Sequence, residues 1–126
     1  MKLVARLPIA PMHAVRMTQR SKWRDAPRKY LEWKRALAWT ALAAKYELRS
    51  GDRIVFKISL PKAQRQVTAG DPHTVKPDLD NLLKAFFDAL HTDDAHISEI
   101  SARKEWAETG EIEVWRTVTN PRGRET

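Results

Sequence analysis

The sequence contains no cysteine. That excludes disulfides, thiolate zinc sites and a cysteine nucleophile, and it suits a reducing compartment. Long apolar runs are missing too. Met1 to Pro11, interrupted by Arg6 and Pro8, is too short for a signal peptide or a membrane span. A cytoplasmic protein with no membrane partner is therefore expected. Only four glycines occur in 126 residues, and they form no phosphate-cradling loop. There is no internal repeat and no low-complexity segment. Acids are scarce in the first part of the chain: residues 1–77 hold 17 Lys/Arg against 5 Asp/Glu, whereas residues 78–126 hold 6 against 11. With a net charge of +7, the basic part is suited to meet a polyanion such as nucleic acid, the simpler alternative being a solubility surface. The acidic part needs a reason of its own.

The length fits one domain that buries roughly two-thirds of the surface of its extended chain. Lys2–Leu7 reads as a short strand ended by Pro8. Asp25-Ala26-Pro27 reads as a helix start, because Asp caps and proline is tolerated in a first turn. Tyr30, Trp33, Leu37, Ala41, Ala44 and Leu48 continue at helical spacing, with Gly51 as the stop. They read as core, with a dimer face as a second use. In Arg53–Leu60, Ile54, Phe56, Ile58 and Leu60 alternate as in a strand. Leu79, Leu82, Leu83, Phe86 and Leu90 form the apolar face of a second helix over about 79–91. Ile97–Trp106 and Glu111–Val118 are candidate strands, with Glu108-Thr109-Gly110 as a hairpin turn and Trp106 paired with Trp115 across it. The order β-α-β-α-β-β predicts an α+β fold, a mixed sheet packed against two helices in a single domain. Residues 120–126 read as a loose tail.

The acids gather around the second helix. Pro77-Asp78-Leu79-Asp80-Asn81-Leu82-Leu83-Lys84 opens it, and Asp93-Asp94 follows its end. Two residues apart on a regular helix, Asp78 and Asp80 would point about 200° apart. They converge only if Asp78 precedes the helix in extended conformation, which Pro77 favours. Simpler readings exist for each acid. Asp78 as a helix cap would contribute ~1 kcal/mol. Asp80 and Lys84 as an exposed i,i+4 pair would contribute about 0.3–0.5 kcal/mol. Asp93-Asp94 would be turn residues. Together these explain poorly why so many acids crowd one element of a basic chain. Hard oxygen ligands suit a divalent cation, and the phosphate it activates suits the surrounding positive charge. An EF-hand does not fit: counting from Asp78, the sixth position is Leu83 and the twelfth is Ala89.

Asp78-Leu79-Asp80-Asn81-Leu82-Leu83-Lys84-Ala85-Phe86-Phe87-Asp88-Ala89-Leu90, followed by Asp93-Asp94-Ala95-His96-Ile97, resembles the core signature of RusA-type Holliday junction resolvases. These are small bacterial and prophage endodeoxyribonucleases. The resemblance covers about residues 76–104, where Arg103 and Lys104 fit the basic end of the family's following strand. It implies a RusA-like endonuclease domain over residues 1–119. It implies a homodimer that cuts branched DNA, namely four-way junctions, symmetrically during recombination and repair. The implied cofactor is Mg²⁺, with Mn²⁺ as a substitute, and no organic cofactor. Asp78, Asp80 and Asp94 would be the metal-binding catalytic carboxylates, and Lys84 the catalytic lysine. Asp93 would share or replace the role of Asp94. Two features depart from the family pattern. Only His91 and Thr92 separate the helix from the aspartate pair, and Pro8-Ile9-Ala10-Pro11-Met12-His13 stands where the family has an early Pro-x-Ser-x-Asn-like segment.

Arg16, Arg20, Lys22, Arg24, Arg28 and Lys29 surround Trp23, and Lys76 precedes the acidic stretch. These are the candidate phosphate contacts, with Trp23 or Tyr30 to stack on an opened base. The alternative is a basic loop with Trp23 packed on the core. His91 and His96 flank the aspartate pair without forming a zinc spacing. Two rival functions remain: a non-catalytic nucleic-acid-binding protein with the same fold, and a small DxD-type metal-dependent transferase. The latter suits the chain less, for want of length and of a glycine loop.

Overall fold

Alternation places the central strand. Ile54 and Phe56 are fully buried beneath the helices, while Lys57 points to the opposite face. The computed structural model describes residues 1–15, 25–61, 66–91 and 94–117. Arg16, Arg20, Lys22, Trp23 and Arg24 lie outside the described residues, as do Asp93 and the tail from 118 onward. The elements are β1 (Lys2–Leu7), α1 (Asp25–Ala43), β2 (Arg53–Ser59), α2 (Leu79–Ala89), a 3-10 turn (Asp94–His96), β3 (Ser101–Ala107) and β4 (Glu111–Arg116). This is the expected β-α-β-α-β-β order of an α+β fold with a mixed sheet.

The sheet runs β1-β4-β2-β3. β2 pairs with β3 in parallel and with β4 antiparallel, and β1 pairs with β4 antiparallel. Parallel neighbours need a crossover, and residues 60–100 with α2 supply it. The expected β3–β4 hairpin does not form. β4 lies on the other side of β2, so Glu108-Thr109-Gly110 steps across the end of β2. Trp106 stands opposite Ile58 and Trp115 opposite Leu3 and Arg53, so the two tryptophans do not pair. Gly110 serves close approach in this step: a Cβ there would lie 2.9 Å from the Ala10 Cβ.

Both helices cover one face of the sheet. Leu37 of α1 and Leu82, Phe86 and Ala89 of α2 pack on Leu7, Ile54, Phe56, Ile112 and Val114. The Phe56 and Phe86 rings meet edge to face, 6.0 Å apart at 84°, a favoured aromatic geometry. The other face carries ion pairs instead: Glu113, 4 % exposed, receives Lys57 Nζ at 3.1 Å and Arg6 at 3.1 Å. Helix α1 stops earlier than its apolar stripe. Lys45 adopts φ 55°, its N–H donates to Leu42 O, and the Tyr46 N–H donates to Ala41 O. These two bonds close a left-handed C-terminal cap of the kind that usually uses glycine. Leu48, expected on the helix, therefore packs from the following loop. Trp39 and Leu42 are exposed on the outer side of α1.

The crossover folds back along the free edge of β3. Trp106 N–H donates to Asp71 O, Gly70 N–H to Trp106 O and His73 N–H to Lys104 O. This covers an edge that would otherwise present unpaired backbone groups, and it delivers the chain to Pro77 at the mouth of α2. Among the described residues, no helix is long and apolar enough to cross a membrane.

Candidate active site

Asp78 is the N-cap residue of α2 and is extended, at φ −69° and ψ 147°. The expected break from helical geometry is therefore present at Asp78, so the 200° spacing of a regular helix does not apply to it and Asp80. Its side chain does not cap the helix. Instead Lys76 Nζ lies 3.0 Å from both carboxylate oxygens, with all the groups exposed to solvent. Lys76, expected to touch DNA, thus pairs with Asp78 in the free protein.

Asp80 stands exposed in the first turn of α2. The i,i+4 ion pair between Asp80 and Lys84 does not form, and neither does one between Lys84 and Asp88. Lys84 therefore sits between two carboxylates, one turn away on either side, and engages neither. The Asp78 side-chain cap and the Asp80–Lys84 pair are both unrealised, and the surface ion pair that does form at the acidic helix start is Lys76–Asp78. Asp80 near the positive end of α2 is favoured by the helix dipole, yet its oxygens are left open.

The carboxyl end of α2 turns through His91, whose backbone is left-handed at φ 50°. After two further residues the 3-10 turn begins at Asp94. The connector is short, and the left-handed residue stands at the end of the helical run. Asp93 and the Asp94 side chain lie outside the described residues. Among the described residues, no group of three or more His, Cys, Asp or Glu side chains comes together as a metal cage. Of the expected ligands, Asp78 and Asp80 are the two whose side chains are described, and hard carboxylates are of the kind Mg²⁺ prefers.

Sequence reasoning missed what holds Asp78 in place. Lys104 Nζ donates to Val75 O at 2.6 Å and to Pro77 O at 2.7 Å. The Lys76–Pro77 bond between these carbonyls is cis. A signal existed: Ala102, Lys104 and Trp106 alternate on one face of β3, and a lysine at a covered register position needs acceptors. Sequence reasoning also treated Tyr30 as core or as a stacking platform. It is buried, and its hydroxyl donates to Asp88 at 2.9 Å. Burial first, and the Asp88 carboxylate second, hold the phenol well above its ordinary pKa. Its ring is flanked by Trp33, 6.2 Å away, and by Lys34, so no free face remains for a base. Arg28 pairs with Asp25 at 2.7 Å on the surface, and Lys29 is exposed.

Two clefts meet at Asn81. One, of about 300 Å³, is bounded by His13, Lys76, Pro77 and Asp78. The other, of about 440 Å³, runs between α1 and α2. A third cavity, of about 330 Å³ on the helix-free sheet face, lies away from these aspartates, and its Arg103, Glu105 and Glu113 are already ion-paired.

The model of one protein family, described as endodeoxyribonuclease RusA, matches residues 8–115. No curated protein and no solved structure matches the chain. The family match begins just after β1, runs into β4 and includes Asp78, Asp80, Lys84 and Lys104. An extended aspartate before a helix, a second one in its first turn and a free lysine one turn on thus stand inside a matched nuclease segment, and the chain belongs to the RusA endodeoxyribonuclease family.

Proposed function

We propose that this protein is a metal-dependent endonuclease that resolves four-way DNA junctions in recombination and repair. The observation that carries the reading is the state of Asp78, Asp80 and Lys84. Asp78 does not cap the helix, its exposed pair is with Lys76, and Lys84 pairs with neither neighbouring carboxylate, which supports a functional use for Asp78, Asp80 and Lys84. Asp78 and Asp80 would hold Mg²⁺, or Mn²⁺ in its place, with Asp94 or Asp93 as a further ligand. When bound, the ion supplies an activated water and neutralises phosphate charge.

The chain's own residues do the rest. Hydrolysis forms a bond between water oxygen and phosphorus and breaks one P–O ester bond. Negative charge builds on the phosphoryl oxygens in between. The Lys84 ammonium, unneutralised by Asp80 or Asp88, is available to donate to those oxygens. With Asp78 serving as a ligand, Lys76 would no longer be paired, and its exposed ammonium could meet a neighbouring phosphate. Lys104 holds the Val75–Pro77 backbone that carries Asp78.

Arg16, Arg20, Lys22, Arg24, Arg28 and Lys29 would follow the DNA backbone. In a homodimer, two such sites would cut two strands of one junction. The working domain is residues 1–119, in the cytoplasm. The test is cleavage of a synthetic four-way junction titrated with Mg²⁺, with linear duplex as control. Asp78→Asn and Asp80→Asn are expected to bind the junction and leave it whole. Full cleavage by either variant at matched Mg²⁺ sinks the assignment. The short His91-Thr92 connector before the aspartate pair supports one second reading: a junction-binding protein that does not cut. Binding without cleavage by the unaltered protein at every Mg²⁺ concentration would select it.

A further inference from the structure

The larger cleft beside Asn81 contains two lysines, Lys34 and Lys84, that form no ion pair among the described residues. Asn81, Lys84 and Asp88 line it from one stripe of α2, at i, i+3 and i+7. Tyr30 and Lys34 line it from α1, and the Ala14–Val15 segment closes its wall. That wall is fixed to the catalytic helix, because the Ala14 N–H donates to Asn81 O at 3.1 Å.

Lys34 is pre-positioned. Its Nζ lies 4.8 Å from the centre of the Tyr30 ring. Tyr30 is itself clamped by the hydrogen bond to Asp88 that joins the two helices. A cation held over an aromatic face gives up less side-chain freedom when it meets an anion. Among the described residues, Lys34 makes no ion pair, and neither does Lys84. The one acid in the cleft, Asp88, already has an oxygen occupied by the Tyr30 hydroxyl. Two ammonium groups and the Asn81 amide therefore face one cleft with an excess of donors, and a phosphodiester oxyanion satisfies all three.

We infer that this cleft binds a backbone phosphate of the cleaved DNA strand, next to the scissile one, with Lys34 as its principal ligand. The inference rests on the nuclease reading for the identity of the strand. The cleft shares Asn81 with the one that contains Asp78, so a strand lying over the carboxylates continues into it. Asn81 stands where the two clefts meet, and Lys84 lies one turn further into the larger one. Lys34 would then set the register of the strand over the carboxylates.

The test uses the full chain and a four-way junction carrying a single neutral methylphosphonate, moved one position at a time around the cleavage site. Binding is measured without metal, across a salt series, for the unaltered protein, Lys34→Ala and Lys34→Arg. For the unaltered protein, one methylphosphonate position is expected to weaken binding. Lys34→Ala should bind more weakly at every other position and lose nothing further at that one. Its log–log salt slope should be shallower by about 0.9 per lost phosphate contact. Lys34→Arg should restore the position-specific loss, which separates charge recognition from a packing role for the stem. A Lys34→Ala protein with an unaltered salt slope and methylphosphonate profile overturns the site. If it cuts junctions normally as well, the nuclease reading stands and this site alone falls. If the unaltered protein cuts nothing yet the profile shifts at one position, the phosphate site stands and the nuclease reading falls.

Discussion

Lys104 Nζ lies 2.7 Å from the carbonyl oxygen of Pro77, the residue immediately before Asp78. A second donation, to Val75 O at 2.6 Å, makes the ammonium a clamp across the segment that delivers Asp78. The clamp reaches from β3, a rigid strand parallel to β2. Groups that orient a ligating side chain commonly change metal affinity or activity by about 10–100-fold when removed. Lys104→Met keeps the stem and deletes the donors. It is expected to raise the Mg²⁺ concentration for half-maximal junction cleavage by about tenfold or more, with metal-free junction binding unchanged. An unchanged Mg²⁺ dependence would show that Asp78 is held by other means.

The open state of Asp80 gives a second expectation. Asp80→Asn deletes no hydrogen bond and no ion pair among the described residues. Its effect on unfolding in urea should therefore stay within about 0.5 kcal/mol, as for ordinary surface changes. Its effect on cleavage should be at least about 100-fold, the scale of losing a charged group at a phosphoryl-transfer centre. Lys84→Met should follow the same pattern. A stability loss without an activity loss would return both residues to the helix surface.

The parts legible in the sequence were those governed by a period or by a local break. The 3.6 spacing of Leu79, Leu82, Leu83, Phe86 and Leu90 located α2, and Pro77 located its start, including the extended Asp78. The alternation of Ile54, Phe56 and Ile58 located β2. Strand order was not legible: the three-residue link between β3 and β4 looks like a hairpin until β2 is known to lie between them. The end of α1 was hidden because Lys45, not glycine, takes the left-handed position. The roles of Lys34, Asp52 and Lys104 depend on partners 4, 64 and 27 residues distant. Sequence spacing conveys the first only weakly and the others not at all.

Asp52 anchors the end of the sheet and carries a third expectation. It is fully buried, accepts Arg116 Nε at 2.7 Å and Nη2 at 3.1 Å, and also accepts the Tyr46 hydroxyl at 2.9 Å. Its carbonyl receives the Ser101 N–H, which starts β3. Removing one partner of such a pair strands a buried charge. Arg116→Met should therefore lower unfolding stability by about 3–5 kcal/mol. Tyr46→Phe, which removes one neutral donor from the carboxylate, should cost about 1–3 kcal/mol. Equal costs for the two changes, measured by urea unfolding, would mean that the Arg116 pair contributes little beyond one hydrogen bond.

The last expectation concerns acid. His73 is 3 % exposed, its ring centre is 4.3 Å from that of Trp106, and its Nδ1 has no hydrogen-bond partner. Burial first, and the Lys104 ammonium second, push its pKa below the ordinary histidine value. The unfolded chain therefore binds a proton near pH 6.5 that the folded chain refuses until a lower pH. Stability is complete above that pH and falls as pH drops below it. The slope grows toward about 1.4 kcal/mol per pH unit for one proton, then flattens below the folded pKa. Glu113 acts in a separate window. Burial raises its carboxyl, but Lys57 and Arg6 outweigh that and hold it low. Its contribution is thus present above the ordinary carboxylate range and is lost only at more acid pH. His73→Phe keeps a ring against Trp106 and cannot titrate. Urea unfolding of the two proteins between pH 7.5 and 5 should show the unaltered chain losing stability relative to His73→Phe, because the other histidines are common to both. Parallel curves would mean that His73 takes up its proton equally in the folded and unfolded states.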